Sequence, residues 1–242
     1  MQKRIWVFWT GDNEIPQIRK KNIESMKNKS GAEITLVTSD NLSEYIAVEK
    51  IHPAYNFLNL AHRADYLRCY FMHHFGGGYC DIKEIHSSWD ASFRNVSINR
   101  NIFGVGYQEV NRHGVANVYQ SCVQLKYLEN VNCKSAYIKW RWMQLRHRSL
   151  IGNGAFIFKP QTKFTDLWWK QLNFRLDLIL PYLEKYPASQ PKERYGQIFN
   201  GVKSQYPVPW TWILGDIIHP LSLKFNHRLM RDLPAPSFLN YQ

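Results

Sequence analysis

Four charged residues of this chain have types and spacing that suit chemistry: Asp65, Arg68, Asp81 and Lys83. A run of glycines, Gly76–Gly78, separates the first pair from the second. An arginine can hold an anion through paired hydrogen bonds. Carboxylates can accept hydrogen bonds from sugar hydroxyls or bind a hard cation. The set therefore suits a phosphorylated ligand that is rich in hydroxyl groups.

A helix is predicted for residues 60–75, because apolar residues recur there at the three- and four-residue spacing of one buried face. That face comprises Leu60, Ala64, Leu67, Phe71 and Phe75. Asp65 and Arg68 are three residues apart, so they share a neighbouring stripe of the helix.

The glycines should end this helix, since glycine adopts left-handed conformations without strain. A short strand is predicted at 79–82, and its period of two would put Tyr79, Asp81 and Lys83 on one face. Taken singly, a helical Asp–Arg pair is often a surface ion pair and a glycine run is often a tight turn. The ordered combination favours a ligand site.

Elements on either side indicate an α/β sheet. A strand at 5–9, a helix at 16–28 and a strand at 33–38 form a strand–helix–strand unit that is typical of parallel sheets. Residues 102–107 and 155–158 are further strand candidates, residues 165–183 read as a helix, and 187–192 is the most loop-like stretch. Ligands of such sheets collect at the carboxyl ends of the strands, where residues 9–11 and 79–81 lie.

The charged segment resembles the DXD-containing sugar-transfer region of bacterial capsular polysaccharide synthesis proteins, fungal Golgi mannosyltransferases and large glucosylating toxins. Their pattern is S/A-D-x-x-R, an apolar helix end, and then G-G-x-Y-x-D-x-D. The chain matches it at Ala64-Asp65, Arg68, Gly77-Gly78, Tyr79 and Asp81. It departs from the pattern at Lys83, which stands in place of the second aspartate.

Three further segments are similar to the same family. Residues 3–11 resemble its first strand, which ends in I-W-x-G, and residues 151–160 resemble its later N-x-x-x-x-A-x-P segment. Residues 210–220 look like the carboxy-terminal W…G…H-P stretch of capsular members. Together the segments cover most of the chain in the family's order, while residues 85–150 match little.

The resemblance implies a fold and an activity. The fold would be GT-A-like (Rossmann-like): a single α/β domain, 1–242, with a mixed, mostly parallel sheet flanked by helices. A donor-binding part would span about 1–110, and an acceptor-side and carboxy-terminal part about 111–242. The activity would be transfer of a hexose from a nucleoside diphosphate sugar, UDP-sugar favoured, to a glycan or lipid-linked glycan in capsule or lipopolysaccharide synthesis, with retention of configuration.

The resemblance also assigns roles to residues. Arg68, Asp81 and Lys83 would be catalytic, with Arg68 and Lys83 stabilising the departing diphosphate. Trp9 would pack on the nucleotide base, although a core aromatic is the alternative. The full set of expected donor-binding residues is Trp9, Thr10, Gly11, Asp65, Arg68, Tyr79, Asp81 and His219.

Lys83 puts a metal cofactor in question, because an ammonium cannot ligate a cation and would repel one. One hypothesis is that Lys83 neutralises the diphosphate directly and that no metal is needed. The other is that Mn²⁺ or Mg²⁺ binds through Asp81 with help from His219 or Glu84. The first hypothesis, reduced or absent metal dependence, is favoured.

Charge and composition narrow the partners. A formal charge of +12 favours phosphates, anionic membrane surfaces or nucleic acid. No nucleic acid is expected, because no helix-turn-helix, zinc-finger or RNP pattern occurs. The amino terminus lacks the apolar core of a signal peptide, and the four cysteines form no C-x-x-C pair. These features favour a cytoplasmic protein, with peripheral attachment to the inner face of the membrane as a further expectation.

A second region mixes tryptophan with basic residues. It covers 137–148, Trp168-Trp169-Lys170 and Phe174-Arg175. Three interpretations are open: a membrane interface, an acceptor groove, and a core stripe with a solvated basic side.

Two other function classes compete with glycosyl transfer. The interrupted DXD pattern favours a noncatalytic nucleotide-sugar or glycan-binding protein on the same fold. A metal-dependent phosphohydrolase is less favoured, because such an enzyme needs several carboxylates around its metal and only one well-placed carboxylate is evident. Donor hydrolysis without acceptor, with and without chelator, would separate the three.

Overall fold

The computed structural model describes residues 1–128 and 132–238 as one α/β domain. The strands are β1 (Arg4–Trp9), β2 (Glu33–Thr38), β3 (Gly77–Cys80), β4 (Gly104–Gln108), β5 (Ile151–Phe158), β6 (Ile198–Phe199), β7 (Val202–Lys203) and β8 (Leu229–Met230). Six of them form one sheet in the order β2-β1-β3-β5-β4-β8, and β6 pairs with β7 separately. Strand β5 runs antiparallel to both its neighbours, and the other three pairings are parallel. The expected mixed, mostly parallel sheet is thus confirmed.

Helices lie on both faces of the sheet. They are α1 (Gln17–Lys29), α2 (Leu60–His74), α3 (Asp90–Ile98), α4 (Val118–Gln124), α5 (Cys133–Leu145), α6 (Lys163–Lys185) and α7 (Gly215–Lys224). Short 3-10 turns occur at Leu42–Glu44, Val48–Lys50, Pro53–Phe57, His147–Ser149 and Asn226–Arg228. In the described ranges no helix combines the length and the apolar character needed to cross a bilayer.

The central strand β1 shows why the sheet is covered on both sides. Trp6 and Phe8 pack in a core with α2, α6 and α7, whereas Ile5 and Val7 pack in a second core with α1 and α3. All four side chains are buried. A strand that is apolar on both faces is typical of sheets with helices on each side.

The predicted helix 60–75 is confirmed as α2, with one correction at its end. Asn59 begins the helix by accepting a hydrogen bond from the His62 amide at 2.6 Å. Gly76, at φ +66°, ends it in the left-handed region. Phe75 was expected on the buried face but is 43 % exposed: the helix stops at His74, and the Phe75 ring lies at the edge of the core against Trp6 and Phe71.

Strand boundaries follow their pairing partners rather than local apolar runs. The strand predicted at 79–82 is β3, which starts at Gly77 because β1 and β5 hydrogen-bond on either side, and ends at Cys80. The strand predicted at 155–158 is the second half of β5. Its first half, Ile-Gly-Asn-Gly, carries no apolar alternation and was missed. The 102–107 strand is β4, and the 187–192 loop is confirmed.

Candidate active site

Arg68 joins two carboxylates at the centre of the candidate site. From α2, its Nη1 lies 3.3 Å from Asp65 Oδ1, one turn earlier on the same helix. Its Nη2 donates to Asp81 Oδ1 at 3.0 Å, and Nη1 also donates to the Asn153 carbonyl at 3.3 Å. All three charged side chains are largely buried. The predicted Asp65–Arg68 pair is therefore part of a three-residue array rather than a solvated surface pair.

The glycine turn and β3 deliver Asp81 to this array. Gly76 and Gly77 both have positive φ, and a Cβ at Gly77 would lie 2.9 Å from the Arg4 carbonyl, so a larger residue does not fit there. Tyr79 donates from its hydroxyl to Asp81 Oδ1 at 2.6 Å. The Arg68 guanidinium lies 4.5 Å from the centre of the Tyr79 ring. Tyr79 thus fixes both charged partners.

Lys83 reaches Asp81 by a tight turn. Its amide donates to the Asp81 carbonyl at 2.6 Å, so the chain leaves the strand direction at this point. Its Nζ lies 3.3 Å from Asp81 Oδ2 and 4.6 Å from the centre of the Phe238 ring. Tyr79, Asp81 and Lys83 are neighbours as predicted, but the strand stops before Asp81 and does not hold them on one face.

A cleft of about 380 Å³ opens beside this array, at the carboxyl end of β1. Trp9 lies half-buried in its wall and donates from Nε1 to the Asn13 carbonyl at 2.9 Å. Thr10 donates to the Leu60 carbonyl at 2.7 Å, and a Cβ at Gly11 would come within 2.9 Å of the Leu60 side chain. The cleft is lined by Phe8, Trp9, Thr10, Gly11, Asn13, Arg19, Leu60, Ala61, Ala64, Arg68, Tyr79, Asp81, Ile82, Pro191 and Lys192.

Two residues of the cleft were missed by the sequence analysis. Arg19 of α1 donates to the Ile82 carbonyl at 2.6 Å and lines the cleft. Lys192, in the loop after α6, lines it from the opposite part of the chain. Both belong to elements without a distinctive motif, so the tertiary fold alone identifies them.

A second cavity, of about 320 Å³, adjoins the first and shares Ala61, Arg68, Asp81 and Lys192 with it. Asp65 faces this second cavity, together with Asn153, Trp210 and Thr211. These last three also line a groove of about 890 Å³. The charged array therefore stands between a cleft on one side and a continuous pair of cavities on the other.

Burial changes the protonation of the array. It raises the pKa of Asp65 to about 7; the nearby Arg68 opposes this rise and the Asp81 charge adds to it. Asp65 can therefore exchange a proton near neutral pH. Burial also raises the pKa of the Tyr79 hydroxyl well above its usual range, so Tyr79 acts as a hydrogen-bond donor at physiological pH.

His219 and Glu84 lie apart from Asp81. His219 is fully buried in α7, where its Nδ1 accepts from the Ala116 amide at 3.0 Å and its Nε2 lies 3.8 Å from Glu109 Oε2. Burial lowers the pKa of His219 to about 4. Glu84 pairs with Lys29 of α1 at 3.1 Å. The structure thus brings together the other predicted site residues but leaves these two outside the array.

A family model described as capsular polysaccharide synthesis protein matches residues 1–142. The chain belongs to this family. The match contains the glycine turn and every charged member of the array, and it extends through most of α5. No curated protein matches the sequence. Its membership of the capsular polysaccharide synthesis family associates the protein with the synthesis of surface polysaccharide.

The donor atoms at the array do not fit a divalent metal ion. Asp81 Oδ1 already accepts from Tyr79 and Arg68, and Oδ2 faces the Lys83 ammonium. Mg²⁺ and Mn²⁺ need several oxygen ligands, and neighbouring cations repel them. Within residues 1–128 and 132–238, no three His, Cys, Asp or Glu side chains come together as a metal-binding group.

The basic-aromatic region divides into two environments. Trp168 is fully buried in the core between the sheet and α6, so the core interpretation holds for it. Trp169 packs against Tyr66, Tyr70 and both His73 and His74 of α2. Trp142 of α5, in contrast, is 51 % exposed.

Proposed function

We propose that this family member is a GT-A-like glycosyltransferase of surface polysaccharide synthesis. It would transfer a hexose from a nucleoside diphosphate sugar, UDP-sugar favoured, to a glycan or lipid-linked glycan with retention of configuration. The observation that carries the proposal is the Asp65–Arg68–Asp81 array between two cavities. A transferase needs such a boundary, because its donor and acceptor must meet at one charged centre.

The donor would occupy the 380 Å³ cleft. Trp9 offers a half-buried aromatic surface for the base, and Gly11 lines the same cleft. Arg19, Arg68 and Lys192 supply positive charge for the diphosphate. Asp81 would accept hydrogen bonds from the hydroxyls of the donor, and Asp65 would accept them from the part of the sugar that reaches the second cavity.

Charge stabilisation at the diphosphate is the main catalytic contribution that these residues can make. As the glycosidic C–O bond breaks, its electron pair leaves on the diphosphate oxygen, and a fixed guanidinium there stabilises the transition state. Retention requires the acceptor hydroxyl to approach from the leaving-group face. Its oxygen then forms the new C–O bond, and its proton passes to the departing phosphate oxygen.

Lys83 would act on the negative charge of the diphosphate indirectly, through its contact with Asp81. Its ammonium contacts the Asp81 carboxylate and its side chain is 8 % exposed, so it offsets the carboxylate charge close to the diphosphate. We therefore propose that turnover needs no divalent metal ion.

The acceptor would enter through the 890 Å³ groove. Among the residues that the structure describes, its wall carries Arg194, no carboxylate and five amide side chains: Asn117, Gln120, Gln124, Asn153 and Gln197. Trp210, 41 % exposed, lies where the groove meets the second cavity. Amides and an exposed aromatic face suit the hydroxyls and apolar faces of a glycan. This assignment keeps the donor side mainly within residues 1–110 and the acceptor side within 111–242.

A noncatalytic sugar-nucleotide-binding protein is the second candidate. The observation in its favour is the full engagement of Asp81 by Tyr79, Arg68 and Lys83. The deciding experiment measures release of nucleoside diphosphate from a panel of nucleotide sugars, with and without a glycan acceptor, in EDTA and in Mn²⁺. Turnover of one donor in EDTA supports the proposal. Saturable binding of a donor without any turnover, in either condition, supports the second candidate instead.

A further inference from the structure

Helix α5 has an apolar stripe that faces away from the protein. Ile138, Trp142 and Leu145 are four and three residues apart, so they lie on one side of the helix. They are 68 %, 51 % and 62 % exposed, respectively. Apolar side chains that are exposed next to one another mark an interaction site, whereas singly exposed ones are ordinary. We call these three residues the outer face of α5.

The fold does not need this stripe. The opposite side of α5 holds the helix in place through Met143, which is fully buried in a small cluster with Val115 and Leu150. Trp140 packs half-buried against the same cluster. Packing within the described part of the chain therefore leaves the outer face of α5 exposed.

Positive charge surrounds the outer face. Lys134, Arg141, Arg146 and Arg148 are all exposed, and the segment 132–148 contains neither Asp nor Glu. The Arg146 guanidinium lies 4.9 Å from the centre of the Trp142 ring, directly beside the stripe. An apolar stripe with arginine on its flanks and a tryptophan within it is typical of helices that lie in the headgroup region of a membrane.

We propose that the outer face of α5 docks on an anionic lipid surface. The apolar side chains would insert between headgroups, and the flanking cations would attract acidic lipids. Charge complementarity favours lipid over a protein partner. A stable protein interface also buries roughly 800 Å² on each side, more than three side chains on one helix provide.

The test measures binding of the 242-residue chain to sedimented vesicles. One set contains phosphatidylcholine alone, and the other contains phosphatidylglycerol as well. We expect binding to the anionic set, release by salt, and little binding to the neutral set. Replacing Arg141 and Arg146 by Gln should weaken binding about fivefold for each residue, since each nearby cation contributes ~1 kcal/mol.

Three serine substitutions test the apolar stripe. Ile138→Ser, Trp142→Ser and Leu145→Ser together should weaken binding on the order of a hundredfold, because less apolar surface is buried. The matched control carries Val48→Ser, Ile98→Ser and Val202→Ser, which are 73 %, 77 % and 71 % exposed elsewhere in the chain. It should bind like the wild type, and all variants should keep the wild-type melting temperature because the replaced side chains are exposed.

Two results would overturn the proposal. The first is absence of wild-type binding to anionic vesicles. The second is an equal loss of binding in the control variant. If the wild type is dimeric in solution, binds no vesicles and becomes monomeric in the outer-face variant, the stripe is an interface between two copies. Vesicle binding can be measured without any substrate, so its outcome is independent of the proposed transferase activity.

Discussion

A single guanidinium, that of Arg68, organises the candidate site because it contacts two carboxylates and one tyrosine ring. Its two terminal nitrogens are directed to Asp65 and Asp81, and its plane lies over Tyr79. Lysine could not reproduce this arrangement, since its ammonium is a point charge without a planar fork. The geometry therefore makes Arg68 the residue whose removal should affect the site most.

Substitution of Arg68 or Asp81 by Ala should remove transfer activity. We expect a loss of about 10²-fold or more in kcat, which is typical for removing a preorganised charge contact to a leaving group. The control is Arg63→Ala on the same helix, whose guanidinium donates to the Leu58 and Asn56 carbonyls instead. Steady-state kinetics and melting curves check this. Near-normal turnover in Arg68→Ala with an unchanged fold would show that the array is not the active site.

We expect the charge at Lys83 to decide metal dependence. Lys83→Ala should lower kcat more than it raises the donor KM, because charge on the diphosphate grows as the bond breaks. Wild-type activity should persist in EDTA. Lys83→Asp should be inactive or become dependent on Mn²⁺, since it creates a second carboxylate beside Asp81.

Kinetics of the three proteins in EDTA and in Mn²⁺ test this. Complete loss of wild-type activity in EDTA, with rescue by Mn²⁺, would reject a metal-free mechanism. In that case Asp81 would have to ligate the ion after Tyr79, Arg68 or Lys83 moves away.

At the scale of elements, β5 completes the site and shows where sequence analysis ends. The Gly154 carbonyl accepts from the Asp81 amide at 2.8 Å, and Asn153 lines both the second cavity and the 890 Å³ groove. A Cβ at Gly154 would lie 3.1 Å from Asp81 Oδ2, so only glycine leaves the carboxylate undisturbed. None of this can be inferred from the local pattern Ile-Gly-Asn-Gly.

Elements with a strong local signal were predicted well. Apolar periodicity identified α2, and the strand–helix–strand order of residues 5–38 identified β1, α1 and β2. Arg19 and Lys192 were missed because their place in the cleft depends on how α1 and the 187–192 loop pack, which is a long-range property. The two-residue strand β8 was missed for the same reason: it exists only through its pairing with β4.

The groove beside α4 should govern acceptor affinity. Gln120→Ala with Trp210→Ala should raise the acceptor KM by about tenfold or more, since each removes a contact to a bound glycan. Donor hydrolysis without acceptor should be unchanged. Gln171→Ala on α6, outside the groove lining, is the matched control.

Acceptor titrations with oligosaccharides measure the acceptor KM, and a parallel assay without acceptor measures donor hydrolysis. An unchanged acceptor KM in the double variant would contradict the assignment of this groove.

At the scale of the whole molecule, the buried ionisable groups affect stability in two opposite ways as the pH changes. Burial lowers the pKa of His62 and of His219 to about 4, below the ordinary value of 6.5. The unfolded chain therefore binds more protons between pH 6.5 and 4, and stability falls as the pH falls through this window. Asp65, whose pKa rises from 3.8 to about 7, has the reverse effect: its contribution is lost as the pH rises from about 4 to 7.

Two histidines outweigh one aspartate, so the melting temperature of the wild type should drop between pH 6.5 and 4. Asp65→Asn should melt above the wild type at pH 8, and this difference should shrink towards pH 4, because the substitution removes a buried charge that exists only at high pH. Calorimetric scans across this range check both expectations. A difference that does not change with pH would show that Asp65 is not the group responsible.

The position of β5 in the sheet also has a consequence for the order in which the protein can fold during synthesis. Strand β5 fills the space between β3 and β4, yet it ends at Phe158, far beyond both in the chain. Until it leaves the ribosome, the facing edges of β3 and β4 have no partner, and unpaired edges invite association with other chains. Residues 1–142, which carry the family match, contain both open edges but not the strand that closes them. The part of the chain that is easiest to recognise thus cannot complete its own sheet, and the nascent protein depends on rapid arrival of β5.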